Sequence, residues 1–176
     1  DLGWSRGLGD VYKRQINVES NFMDNMDYDY CFRKGIHVIA TSPVFSKPVA
    51  EIALGMTLSL LRNIHTAHLD FIHKKEKYGL ESNLKASLLS EKKIGLLGFG
   101  DLAKSLYPML LPFTKDINVY DPWIPQKIIK KLGFNSMNLN EMFKNCEIIY
   151  VLAAVTTKNK NPVSYTHLTL PTNLRV

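Results

Sequence analysis

The sequence predicts an α/β fold on a doubly wound parallel sheet, and three observations carry that expectation. The apolar run at 93–97 (KIGLL) flows directly into Gly98-Phe99-Gly100-Asp101-Leu102-Ala103, a strand feeding a glycine turn and then a helix. A second short apolar run, INVY at 117–120, ends in Asp121, twenty-one residues after Gly100. A third, EIIYVLAA at 147–154, follows two helix-like stretches. Strands separated by helices imply parallel pairing with right-handed crossovers.

Composition agrees with a packed chain. The 176 residues are 45% hydrophobic and 22% charged, too apolar for a disordered tail and short for a two-domain enzyme. No apolar run approaches the roughly 18 residues that a spanning helix needs, and the N-terminus lacks a secretory pattern, so a cytoplasmic setting without a membrane partner is expected. Cys31 and Cys146 lie far apart and near no histidine cluster, which argues against a disulfide framework and a metal site alike.

The two ends read differently from the middle. Asp10 to Gln15, DVYKRQ, is the translation of GAT GTG TAT AAG AGA CAG, the end of a transposase-based sequencing library, and Ser5 to Gly9 continues it upstream. Val163 to Thr172, VSYTHLTLPT, is the opposite orientation of the same element in another frame. Residues 1–15 and 162–176 are therefore expected to be adapter-derived, with native sequence at 16–161. Without those tails eighteen basic and fourteen acidic residues remain, a modest excess over many segments that points to a solvated surface and not to nucleic acid.

Along the native stretch, residues 16–46 hold a short apolar segment, an Asp/Asn/Met-rich loop, a short helix at 31–34, and the strand HVIA at 37–40 before a Ser-Pro turn. Residues 47–69 form a long, largely buried helix, with Pro48 in its first turn and Glu51 near its positive end. His65 and His68 follow near its end at i, i+3 spacing, with no third metal ligand in view. Residues 70–90 are polar and aperiodic, a connecting arm.

The fingerprint G-x-G-x-x-A has a reason at each place. Gly98 allows the tight turn, Gly100 removes a side chain that would block a diphosphate, and Ala103 lets the helix lie close to the strand. Helix-opening N–H groups then face the phosphates. A carboxylate at Asp121 accepts from the adenosine ribose hydroxyls and repels a 2′-phosphate, so NAD is preferred over NADP. This is the pattern of a Rossmann nucleotide-binding domain. The following helix places Leu102, Leu106 and Leu110 on one side, with a kink expected at Pro108. Helices at 125–132 and 139–145 and a buried strand at 147–154 complete the reading.

DNMD followed by GIHVIATSP, then PVAEIALGMTLSLLR, KIGLLGFGDLA, LLPF, VYDPW and VLAAVTTKN together resemble the D-isomer-specific 2-hydroxyacid dehydrogenase family. The resemblance implies a partial Rossmann domain at 48–161 with a dimerisation helix and arm, and at 16–47 the remnant of a flavodoxin-like substrate domain. It implies NAD as cofactor, held by Gly98, Gly100, Asp101, Leu102, Asp121, Ala154 and Thr156. The carboxylate of a 2-hydroxy or 2-keto acid would meet backbone at Asn21 and Phe22, and the protein would be a homodimer. The sequence departs from the family in filling the loop before DNMD with Glu19, Ser20, Asn21 and Phe22, where glycines are usual, and in placing Thr114 after PF.

The family's catalytic arginine, glutamate and histidine lie downstream of the segment matching Thr156. No catalytic residue is therefore assigned, His167 belongs to the adapter-like tail, and the fragment itself is expected to be inactive. Two other readings share the fingerprint: an NAD-sensing protein like the C-terminal-binding corepressors, and another Rossmann enzyme such as an adenosylhomocysteine hydrolase relative. The VAE helix and YDPW favour the dehydrogenase.

Overall fold

The structure, a computed structural model, describes residues 15–18 and 26–153. A two-stranded parallel sheet comes first, β1 (Gln15–Val18) and β2 (His37–Ala40) joined through helix α1 (Tyr28–Arg33). Asp27 caps α1, its side chain accepting from the Tyr30 N–H, and Cys31 points into the buried side. The short helix thus begins three residues before the expected 31–34.

The residues after β2 do not turn at Ser42-Pro43. They open helix α2 (Ser42–Leu61), in which Pro43 occupies the first turn and Pro48 lies inside. A proline near a helix start is preset for helical φ and gives up only an N–H that has no partner there, so Pro43 does the job expected of Pro48. The expected continuous helix at 47–69 is divided: Asn63 takes the left-handed conformation at φ 53° and a separate α3 (Ile64–Ile72) follows, carrying His65 and His68.

Burial of α2 is the larger correction. Only Ser46 and Ala50 are buried, whereas Val44, Phe45, Val49, Ile52, Met56 and Leu60 are exposed. One side rests on a helix of the main sheet, where Ser105 Oγ lies 3.0 Å from Ser46 Oγ, and no other described element covers the opposite side. This 20-residue helix is long and apolar enough to cross a membrane by length and composition alone, contrary to the expectation that no apolar run comes close. Its packing accounts for part of that apolar character. The arm at 70–90 begins in the last residues of α3 and is otherwise largely irregular and exposed, apart from α4 (Leu80–Asn83) and a 3-10 turn at Leu89–Glu91.

The main sheet has β3 (Ile94–Leu97), β4 (Ile117–Tyr120), β5 (Asn135–Ser136) and β6 (Ile148–Val151) in the order β5-β4-β3-β6, all parallel. All four β3 residues are buried, as a central strand covered on both faces requires. Between the strands run α5 (Asp101–Leu110), α6 (Gln126–Lys131) and α7 (Leu139–Asn145). Asn138 caps α7 through a reciprocal bond with Glu141, and Gly133 at φ +87° ends the α6 segment. The core gathers Ile94, Leu96, Phe99, Leu106, Leu110, Ile117, Val119 and Ile129 with Ala50 of α2.

Two further expectations change. The buried stripe of α5 is Ala103, Leu106 and Leu110, with Leu102 only partly covered, and the helix continues through Pro108 to Leu110. Of β6 only Tyr150 is buried and Val151 is 49% exposed, because β6 is the edge strand among the described residues. The two-residue β5 has no sequence pattern long enough to mark it.

Candidate dinucleotide-binding site

In the order β5-β4-β3-β6 the chain steps outward on one side of β3 and then returns to its other side, so a crevice opens at the carboxyl ends of β3 and β6. Gly98 closes β3 at this point. Its N–H donates to Tyr120 O at 2.7 Å, and on the other flank Leu152 N–H donates to Leu97 O at 2.8 Å. Gly98 holds φ +101°, and a Cβ there would lie 2.7 Å from Ala153 N and 2.8 Å from its Cα. Only a bare residue both adopts that backbone and admits the β6 segment so closely.

Gly100 is different. It precedes α5 with ordinary φ, and a Cβ there would meet no protein atom within 4 Å. It lines a cleft of about 470 Å³ bounded by the Gly98–Leu102 turn, by Asp121, Pro122 and Trp123, by Leu152 and Ala153, and by Ser42, Phe45 and Val49 of α2. A side chain at Gly100 would therefore take up ligand space and not protein space. The first turn of α5 supplies free N–H groups and the positive end of the helix to the same cleft. A diphosphate fits this arrangement, since the turn offers donors and no obstructing carbon.

Asp121 carries more structural work than the sequence implied. Its Oδ2 accepts from Phe99 N–H at 2.7 Å, and its Oδ1 accepts from Trp123 N–H at 2.7 Å and Ile124 N–H at 3.0 Å. It also lines the cleft, where a ribose would pass. Phe99, the variable residue of the fingerprint, is 1% exposed and packs edge-on against Phe134 with ring centroids 4.7 Å apart. Lys104 Nζ stands 5.9 Å over the same ring.

The structure brings together Gly98, Gly100, Asp101, Leu102 and Asp121 around one cleft. Ala154, Thr156, Asn21 and Phe22 lie outside the described residues. Sequence reasoning missed the α2 contribution of Ser42, Phe45 and Val49, and also Trp123, which is 64% exposed at the cleft. The Trp123 signal was present two positions after the acid; the α2 residues carried none, because their approach depends on how that helix crosses the sheet. Among the described residues no three of His, Cys, Asp and Glu gather as metal ligands would.

The family model described as D-isomer specific 2-hydroxyacid dehydrogenase, NAD binding domain, matches residues 54–173, a range that extends past 161 into the residues expected from the sequence to be adapter-derived. A D-3-phosphoglycerate dehydrogenase of Methanocaldococcus jannaschii is 26% identical over 149 residues, covering 84% of this chain and 28% of that protein. A hydroxypyruvate reductase of Thermotoga maritima is 29% identical, covering 81% of this chain and 44% of that protein. Among solved structures, a phosphoglycerate oxidoreductase from Rhizobium etli matches at 41% identity and TM-score 0.70 over 80% of this chain and 47% of its own. A D-lactate dehydrogenase from Aquifex aeolicus, solved with NAD and lactic acid, shares the fold at TM-score 0.71 and 22% identity, over 88% of this chain and 46% of its own. The chain spans less than half the length of these relatives. With the parallel sheet, the glycine turn at its switch point and a family match over most of its length, this chain belongs to the D-isomer specific 2-hydroxyacid dehydrogenases, through their NAD-binding domain.

Proposed function

We propose that the protein to which this chain belongs interconverts a 2-hydroxy acid and a 2-keto acid, and that residues 48–161 supply the NAD-binding part of that reaction. The observation that carries the reading is the pair of glycines: one without room for a Cβ against the protein, the other lining the cleft with no protein atom within 4 Å of a Cβ. When bound, NAD supplies the hydride acceptor or donor. In this reading the backbone at Gly98, Gly100, Asp101 and Leu102 holds the diphosphate, Asp121 accepts from the ribose and disfavours a 2′-phosphate, and Ala154 and Thr156 complete the cofactor contacts. Residues 16–47 belong to the substrate side, where backbone at Asn21 and Phe22 meets the acid's carboxylate. Phe45, Val49, Leu152 and Trp123 line the cleft and give it an apolar wall.

The reading extends to assembly and setting. The exposed apolar side of α2 and the arm after it form a homodimer interface, which a second copy would cover. The unpaired Cys31 and Cys146 suit a reducing cytoplasm.

Titration of the chain with NAD, followed by calorimetry, tests the cofactor assignment. Saturable binding is expected, with the NAD signal lost in Gly100→Val while the melting temperature holds. No saturable binding by the unsubstituted chain would remove the assignment.

A further inference from the structure

Resting on that dinucleotide reading, we propose that Asp121 is first a positioning residue: it fastens the Gly98–Gly100 turn to the turn carrying Trp123 before any ligand arrives, and leaves one acceptor position for a ribose hydroxyl. Regular pairing between β3 and β4 ends where Gly98 N–H meets Tyr120 O at 2.7 Å. Past Gly98 the chain bends away, so Phe99 N–H finds no carbonyl on β4. The Asp121 carboxylate takes it at 2.7 Å, a side-chain bond that lies outside the regular ladder. Phe99 is almost wholly buried, so its amide without that partner would be a costly orphan.

The other oxygen folds back on its own chain, accepting from Trp123 and Ile124 N–H at 2.7 and 3.0 Å. One side chain thus fixes the ends of two adjacent strands, both of which border the cleft. An ionised carboxylate offers about four acceptor positions. Three are engaged, and the fourth is what a sugar hydroxyl can use. The ribose is thereby held by a group whose direction the protein has already set, and a grip on both hydroxyls would require one of the three N–H groups to let go.

The test uses the 176-residue chain without dinucleotide. Amide hydrogen exchange of Phe99, Trp123 and Ile124 is compared with that of Leu96 and Leu97 in β3, for Asp121→Ala and Asp121→Asn. In Asp121→Ala all three amides are expected to exchange at least tenfold faster. Asn keeps one carbonyl oxygen for the Trp123 turn but turns a donor toward Phe99, so in Asp121→Asn only Phe99 accelerates. Should Asp121→Ala lose protection at Leu96 and Leu97, the Asn variant decides alone. Unchanged exchange at Phe99 in Asp121→Asn overturns the proposal.

Binding gives a second readout. A positioning role predicts that Asp121→Ala weakens NADP as well as NAD, because the turn itself is loosened, with NAD falling further, by about tenfold or more, since it also loses the ribose acceptor. A gain in NADP affinity with loss of NAD affinity would overturn it in favour of a ribose contact alone. The two ideas fail separately, since the exchange experiment contains no dinucleotide and absence of NAD binding with Phe99 still protected would remove only the cofactor reading.

Discussion

Tyr150 in strand β6 and Thr57 in helix α2 meet hydroxyl to hydroxyl at 2.7 Å. Thr57 Oγ1 also donates to Ala53 O at 2.8 Å, which uses its only proton, so the Tyr150 phenol is the donor between them. This contact ties α2 to the sheet through β6, besides its packing on α5. Tyr150→Phe removes one hydrogen bond without orphaning Thr57, and is expected to cost about 1 kcal/mol in urea unfolding at pH 8. A stability equal to that of the unsubstituted chain would show the contact to be idle.

Burial pushes the Tyr150 phenol above its ordinary range. A raised pKa means that the folded state favours the protonated form, so this stability is complete below the unfolded value near 10 and falls as pH rises through the folded value. The Tyr150→Phe variant is spared that loss. The stability gap between the two chains is therefore expected to shrink as pH rises above 10, and a gap independent of pH would contradict the burial argument.

Cys146 is subject to the same sign. Burial raises its thiol from 9.0 to about 11, against the nearby Lys93 charge, which lowers it. The thiolate is the reactive form, so in a Cys31→Ala background Cys146 is expected to react about a hundredfold more slowly with a disulfide reagent at pH 8 when folded than when unfolded in urea. Its contribution to stability is full below 9 and is lost on the way to about 11. Equal rates in the folded and unfolded chains would count against this burial.

The two fingerprint glycines are expected to separate folding from binding. Gly98→Ala drives a Cβ into Ala153 at φ +101°, and a loss of about 2 kcal/mol or more in stability is expected from strain and displacement. Gly100→Ala meets nothing within 4 Å, so the melting temperature should hold while NAD affinity falls by about tenfold or more. Calorimetric melting and NAD titration of both variants check this, and equal stability loss in the two would be against it.

Ile52 and Met56 are 62% and 61% exposed on the uncovered side of α2. Ile52→Glu with Met56→Glu is expected to leave the fold intact and to convert a dimer into a monomer by sedimentation at micromolar concentration. A monomeric unsubstituted chain would end the homodimer proposal.

Local pattern determined much of this protein. The apolar run ending at Leu97, the turn through Gly98 and Gly100, the strand Ile117–Tyr120 and the helix Leu139–Asn145 all sit where the sequence placed them, because glycine conformation, capping and hydrophobic period are properties of adjacent residues. Tertiary structure decided the rest. The exposure of α2 and the edge position of β6 among the described strands depend on what lies across from them, which no periodicity encodes. The two-residue β5 exists because β4 offers it a partner. Asp121 was legible as an acid at a strand end, but its three N–H partners come from turns on two strands, and only the register of β3 against β4 brings Phe99 within reach of its carboxylate.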